Sequence, residues 1–104
     1  MQSKWDELAK KMLAYKGKPK HDDDLDGYLF TIDNSTFLVS WENSGYDDTT
    51  YMLHVKKDGV YQTITSYFTD TSKFAHKVWL AVTTAANTHE AAERKADIEQ
   101  FIFG

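Results

Sequence analysis

The chain of 104 residues contains no cysteine, one proline and one arginine. Without cysteine there is no disulfide framework, no thiol nucleophile and no thiolate metal site, which excludes papain-like catalysis and zinc ribbons. With Arg94 as the only arginine, recognition of phosphate or guanine by an arginine cluster is excluded. No apolar run approaches the roughly 20 residues that a membrane helix needs. The first residues contain no apolar signal-peptide core, so we expect a cytoplasmic protein without a membrane partner.

Acidic residues outnumber basic ones by 16 to 12, which gives a formal net charge of −4. This charge argues against general nucleic-acid binding, because that affinity comes mainly from lysine and arginine at phosphates. Hydrophobic residues make up 41% of the chain and aromatic residues 14%, so we expect a packed globule and not a disordered acidic tail. The length predicts a single domain over residues 1–104 with a core of its own.

The stretch 50–68 predicts a β-hairpin. Asp58-Gly59 separates two runs of alternating residues, which is the strongest short-range hairpin signal because a type I′ turn needs positive φ at both positions. The predicted pairs are Lys57 with Val60, Val55 with Gln62, Leu53 with Ile64 and Tyr51 with Ser66. One face then carries Tyr51, Leu53, Val55 and Ile64. The wetter face carries Met52, His54, Lys56, Tyr61, Thr63, Thr65 and Tyr67.

The N-terminal segment predicts a helix over residues 3–15, with one apolar stripe at helical spacing. The stripe consists of Trp5, Leu8, Ala9, Met12 and Leu13. Ser3 and Asp6 resemble a capping box, and Gly17 with Pro19 ends the helix. A charged loop is expected over residues 18–26.

Two further strands are expected between this loop and the hairpin. Alternation over residues 28–32 and again over residues 37–42 predicts a pair joined by the turn Asp33-Asn34-Ser35. Residues 42–49 are expected to form a loop.

The C-terminal third predicts helix, with N-cap candidates at residues 69–72. Its apolar positions at helical spacing are Phe74, Ala75, Val78, Trp79, Ala81, Val82, Ala85 and Ala86. We predict a break near Asn87, which forms a second capping-box-like pair with Glu90. The helix that follows is expected to turn Ala91, Ile98, Phe101 and Ile102 inward. One long, bent helix is the alternative.

The fold class is therefore predicted to be α+β with element order α-β-β-β-β-α-α. The strands would form a four-stranded antiparallel meander sheet, with an N-terminal helix and one or two C-terminal helices packed on one face.

Aspartates cluster at Asp22, Asp23, Asp24 and Asp26. A compact acidic surface can imitate a nucleic-acid backbone and occupy the basic groove of a nucleic-acid-binding protein. We therefore hypothesise a small non-enzymatic protein-binding or accessory module, an inhibitor of a basic partner in a bacterial or phage context, with these aspartates binding the partner. Ordinary surface charge explains the same cluster without any partner.

The spacing from Asp22 to Asp33 matches an EF-hand-type calcium loop, with Gly27 at the sixth position. In this alternative, Asp22, Asp24 and Asp26 supply side-chain oxygens and Tyr28 a carbonyl. A strand-like exit and the short final acid count against it, and no metal or other cofactor is predicted.

Two more hypotheses concern the wetter sheet face. His54 lies there, but no nucleophile elbow or phosphate loop accompanies it, so we predict no catalytic residues and no enzyme. Tyr61 and Tyr67 can stack single-stranded bases, yet the basic groove that such binders need is missing. At the other end of the chain, Phe103 lies beyond the expected apolar stripe, and a homodimer or docking contact would explain it.

Overall fold

The computed structural model describes residues 3–43, 45, 49–68 and 71–104, with Thr71 and Ser72 described by their backbone alone. The fold is α+β, as predicted, but its sheet has five strands instead of four. The elements are α1 (Lys4–Leu13), β1 (Lys20–Asp22), β2 (Gly27–Ile32), β3 (Ser35–Asn43), β4 (Thr49–Lys57), β5 (Val60–Thr63), a 3₁₀ turn (Thr65–Tyr67) and α2 (Thr71–Phe103). No helix among these described residues is long and apolar enough to span a bilayer.

All five strands are antiparallel to their neighbours and follow chain order, β1-β2-β3-β4-β5. The additional strand is β1, where the sequence predicted a loop over residues 18–26. Lys20 pairs with Leu29 and Asp22 with Gly27. Gly27 packs so closely under β3 that an added Cβ would collide with the Val39 carbonyl oxygen. The lack of a side chain at this position therefore lets the start of β2 lie close against β3.

The β4–β5 hairpin has the predicted turn and register. Asp58 and Gly59 have φ of 54° and 80°, and Lys57 pairs with Val60. The Ile64 N–H donates to the Leu53 carbonyl at 2.8 Å, so the alignment continues one pair beyond β5. The predicted pairing of Tyr51 with Ser66 and the strand up to residue 68 are wrong, because the chain turns into the 3₁₀ segment.

Thr65 explains where this ladder ends. It was predicted on the wetter face but is buried, with 7% of its surface exposed. Its Oγ1 accepts a hydrogen bond from the Leu53 N–H at 2.8 Å and donates one to the Leu53 carbonyl at 3.3 Å. The Thr65 hydroxyl thus takes the place of the backbone groups that would bond Leu53 in a continuing strand.

Helix α1 begins as predicted, because Ser3 Oγ accepts a hydrogen bond from the Asp6 N–H at 3.1 Å. Its apolar stripe lies against the core, and Met12 is completely buried. The two ends of the stripe are more open than predicted, with Trp5 39% and Leu13 44% exposed. The helix therefore packs mainly through Leu8, Ala9 and Met12.

Helix α2 is continuous over 33 residues, so the predicted break near Asn87 is wrong and a single long helix is correct. The Thr83 hydroxyl donates to the Trp79 carbonyl at 2.8 Å, and the Thr88 hydroxyl to the Thr84 carbonyl at 2.9 Å. These hydroxyls are satisfied by carbonyls of the preceding turn, an arrangement that a helix tolerates at a slight cost in stability. The cap candidates Thr69 and Asp70 lie outside the described residues, as do Asp47 and Asp48 of the predicted loop.

The core lies between one face of the sheet and the two helices. The buried apolar cluster consists of Met12, Phe30, Ile32, Phe37, Val39, Leu53, Ile64, Phe68, Phe74, Ala75, Val78 and Val82. Trp79 borders it, with ring centroids 5.5 Å from Tyr28 and 5.6 Å from Tyr51. The helices therefore cover a single face of the sheet, as predicted for a one-sided antiparallel sheet.

Candidate functional site

The four aspartates predicted to bind a partner lie in or beside the turn between β1 and β2: Asp22, Asp23, Asp24 and Asp26. Asp22 Oδ1 accepts hydrogen bonds from the N–H groups of Asp24 at 3.0 Å and Leu25 at 3.2 Å. Asp23 Oδ1 lies 2.8 Å from His21 Nδ1. Asp22 thus shapes the turn, while the other three carboxylates are exposed.

The predicted calcium ligands do not converge. Asp33 lies in the β2–β3 turn with φ of 55°, and a six-residue strand of about 20 Å separates it from the acidic turn. Its carboxylate accepts a hydrogen bond from Lys11 Nζ at 2.8 Å, which raises the pKa of Lys11. Within the described part of the chain, no three His, Asp or Glu side chains are grouped to hold a metal ion.

His54 lies in a row of polar side chains across the open face of the sheet. Its Nε2 is 3.1 Å from Ser40 Oγ and its Nδ1 is 3.1 Å from Thr63 Oγ1. Burial lowers the pKa of His54, so the neutral imidazole is favoured. Ser40 was missed by the sequence analysis, because it is offset by two residues from the position that pairs with His54.

This row resembles a serine–histidine pair but lacks two features of a catalytic one. Ser40 is only 6% exposed, so a substrate carbonyl has little access to its hydroxyl. The third position is the Thr63 hydroxyl where a carboxylate would be needed to stabilise an imidazolium. The row of Ser40, His54 and Thr63 therefore provides side-chain hydrogen bonds between neighbouring strands.

The two tyrosines predicted to stack bases lie in different places. Tyr61 is on the open face, with Lys56 Nζ 5.9 Å from its ring centroid. Tyr67 is in the 3₁₀ turn, and its ring centroid lies 5.1 Å from that of Trp5 on α1. The expectation that Tyr67 belongs to the open face is therefore wrong, and the pair does not form one stacking platform.

The most unusual surface is the end of α2, residues 90–103, which we call the projecting half. Every residue in it is exposed. Its large apolar side chains are Ile98, Phe101, Ile102 and Phe103, with 58%, 91%, 60% and 83% of their surface exposed. The predicted inward orientation of Ala91, Ile98, Phe101 and Ile102 is wrong. A 33-residue helix is about 50 Å long, as long as the longest dimension of the molecule, so its end extends beyond the sheet.

The base of the projecting half is fixed to the segment between α1 and β1. The Lys18 ammonium forms an ion pair with Glu93, which lowers the pKa of that carboxyl through a hydrogen bond and charge. His89 Nε2 lies 3.1 Å from the Lys16 carbonyl oxygen. A small hollow of about 260 Å³ separates His21 from this stretch of α2, so the acidic turn lies beside the base of the projecting half.

An apolar groove of about 570 Å³ lies on another side of α2, where the end of α1 meets it. It is lined by Leu13, Ala14, Tyr15, Lys16, Leu80, Ala81, Thr84, Ala85 and Thr88. Leu80 is 52% exposed at its rim. The sequence could not reveal this groove, because it depends on where α1 ends against α2.

Two apolar surfaces, the projecting half and the groove, therefore share one helix. Both expose side chains that would usually be covered in a small domain. Comparisons of the chain with protein-family models, curated proteins and solved structures give no match.

Proposed function

We propose that this chain is a small non-enzymatic protein-binding module whose contact element is the projecting half of α2. The observation that carries the proposal is the exposure of Phe101 and Phe103 at 91% and 83%. Contiguous exposed apolar side chains on a small domain mark interaction sites. Aromatic side chains in particular dominate binding energy when they enter a partner's pocket.

The spacing of these side chains supports a particular mode of binding. Ile98, Phe101 and Ile102 are three and four residues apart, so they lie on one side of the helix. This is the pattern of an amphipathic helix that lies in an apolar groove of its partner. The partner surface is therefore expected to be a groove and not a flat face.

Charge supplies a second contribution. The exposed carboxylates of Asp23, Asp24 and Asp26 lie in the turn beside the base of the projecting half. Such a group attracts a basic partner over several ångströms and speeds association at low salt. The aspartates are thus proposed to steer the encounter, and a basic nucleic-acid-binding protein is one class of partner that they suit.

Photocrosslinking tests this proposal. The photoreactive amino acid p-benzoylphenylalanine replaces Phe103, and a matched control places it at Val60, which is 62% exposed at the hairpin tip. After irradiation in the cells that express the protein natively, we expect an adduct with protein from position 103 and none from position 60. Equal labelling at both positions, or none at 103, would contradict the proposal.

The steering role has its own measurement. Changing Asp23, Asp24 and Asp26 to Asn is expected to lower the initial rate of adduct formation at 103 severalfold at low salt. Added salt is expected to reduce the wild-type rate toward that of the variant. Equal wild-type and variant rates at low salt would remove the aspartates from the mechanism and leave the helix contact standing.

A further inference from the structure

We infer that the partner is a second copy of this chain, with the two α2 helices antiparallel and the projecting half of each in the apolar groove of the other. This inference rests on the proposed function, since it takes the projecting half as a protein-binding element. It does not use the steering role of the aspartates, because a second copy carries the same net charge of −4. It adds the identity of the partner, the orientation of the helices and their register.

The register follows from the helix geometry. At 100° per residue, Leu80, Ala91 and Ile102 lie within about 40° of one another on the side of α2 that faces away from the sheet. Leu80 and Ile102 are each 11 residues from Ala91, and Thr84 and Ile98 are each seven residues from it. A two-fold axis at Ala91 therefore places Ile102 of one copy against Leu80 of the other, and Ile98 against Thr84.

The side chains at these positions fit each other. Ala91 at the axis is small enough to let the two helices approach closely. Ile98 and Ile102 of the second copy then reach the groove, whose rim carries the half-exposed Leu13 and Leu80. Each exposed apolar end thus meets an exposed apolar groove, and a two-fold axis makes both contacts at once.

The charges of α2 favour the antiparallel arrangement. Residues 71–89 contain Lys73 and Lys77 and no acidic residue, which gives a charge of +2. The projecting half contains four acidic and two basic residues, which gives −2. In the register above, antiparallel pairing sets Asp97 and Glu99 against residues 83–85, which contain no acidic residue, and also opposes the two helix dipoles. Parallel pairing would instead place the acidic residues of the two projecting halves together.

The available area is sufficient for a stable dimer. Five apolar side chains on this surface are 44% to 91% exposed: Leu13, Leu80, Ile98, Phe101 and Ile102. Their burial removes on the order of 600 Å² per copy, or about 1,200 Å² for the pair, at the lower end of the range of specific interfaces. A second copy therefore suffices to cover the surface.

Disulfide trapping tests the register, and the cysteine-free chain makes single substitutions unambiguous. With a mild oxidant, Ala91→Cys is expected to form a covalent dimer rapidly, because the two-fold axis brings the two copies of this position together. Leu80→Cys mixed with Ile102→Cys is expected to crosslink, while each alone is not. Lys57→Cys, exposed in the hairpin, is the control for random collision.

Light scattering tests the association itself. The wild-type chain is expected to show twice its 12.0 kDa mass, and Ile98→Asp is expected to weaken association by on the order of tenfold or more while circular dichroism shows an intact helix and sheet. Rapid self-crosslinking of Leu80→Cys would overturn the antiparallel register. A wild-type chain that stays monomeric at high concentration would overturn the dimer.

These outcomes separate this inference from the proposed function. A monomer whose position 103 crosslinks to a different protein would reject the homodimer and keep the protein-binding role. A monomer without any adduct would reject both.

Discussion

The first and last halves of α2 are one continuous helix in two different environments. In residues 71–89, which we call the docked half, Ala75, Val78 and Val82 are completely buried. In the projecting half, Phe101 is 91% exposed. Both halves have apolar residues at helical spacing, so spacing defines a face, and the sheet beneath decides whether that face is covered.

The two halves also differ in what keeps them helical. Burial stabilises the docked half. The projecting half has 14 exposed residues, and an isolated helix of that length is marginal in water. The projecting half has two i,i+4 ion pairs, Glu90–Arg94 at 3.9 Å and Lys95–Glu99 at 3.7 Å, each worth a few tenths of a kcal/mol. Its helicity therefore depends mainly on propagation from the docked half.

The largest contrast is expected from placing a charge in each half. Val82→Asp buries an unpaired carboxylate and is expected to lower the free energy of unfolding by about 4 kcal/mol or more. Ile98→Asp is expected to change it by less than ~0.5 kcal/mol in the monomer. Urea unfolding of dilute protein measures both, and similar losses would show that the projecting half is packed.

Amide exchange is expected to divide the helix at the same place. In dilute protein, the amides of residues 92–103 are expected to exchange at least ~100-fold faster than those of residues 75–85. Local opening exposes the first group, whereas the second needs unfolding of the domain. Mass spectrometry of peptides from each half makes the comparison, and uniform protection in a proven monomer would contradict it.

Thr65→Val tests the sheet on which the docked half rests. The substitution keeps the shape of the side chain but leaves the Leu53 N–H without its partner, so we expect a loss of about 1–3 kcal/mol. Thr63→Val, at an exposed position, is the control and is expected to cost less. Thermal unfolding measures the loss of stability in both variants. Equal losses would show that the buried hydrogen bond of Thr65 contributes no more than the exposed one of Thr63.

A smaller effect is expected from pH. Burial lowers the pKa of His54 below its ordinary 6.5, so the unfolded chain takes up a proton first as pH falls. The contribution to stability is present above pH 6.5 and is lost as pH falls through the pKa of the folded state. Because the imidazole is half exposed, we expect less than ~1 kcal/mol.

Urea titrations at pH 7.5 and 5.5 measure this effect, with His54→Gln as the comparison. The variant is expected to lose less stability on acidification than the wild type. The stability of the docked half is expected to show the same pH dependence as that of the sheet, because the docked half packs on the sheet. An identical pH dependence in both proteins would remove His54 as the cause.

The sequence was sufficient where a local signal had one structural solution. Asp58-Gly59 permits one tight turn, and that turn sets the register of β4 and β5. The apolar faces through Met12 and through Val78 and Val82 also followed from their spacing along the helices. In each case the deciding interaction lies within a few residues along the chain.

Prediction failed where distant parts of the chain decide. Residues 20–22 show no apolar alternation. They form β1 because their backbone pairs with that of β2. Asn87 has a weak helix preference, but a few tenths of a kcal/mol cannot break a helix that packing holds on one side. The exposure of Phe101 depends on the size of the sheet, which no local pattern records.

The borders of the sheet limit how this protein can assemble. Its outermost strands offer only three residues in β1 and four in β5, too few to template the addition of strands from another molecule. Stacking into fibrils is thus discouraged at both borders. The self-association that we propose would instead use a helix, whose backbone hydrogen bonds are already satisfied and which pairs with one partner only.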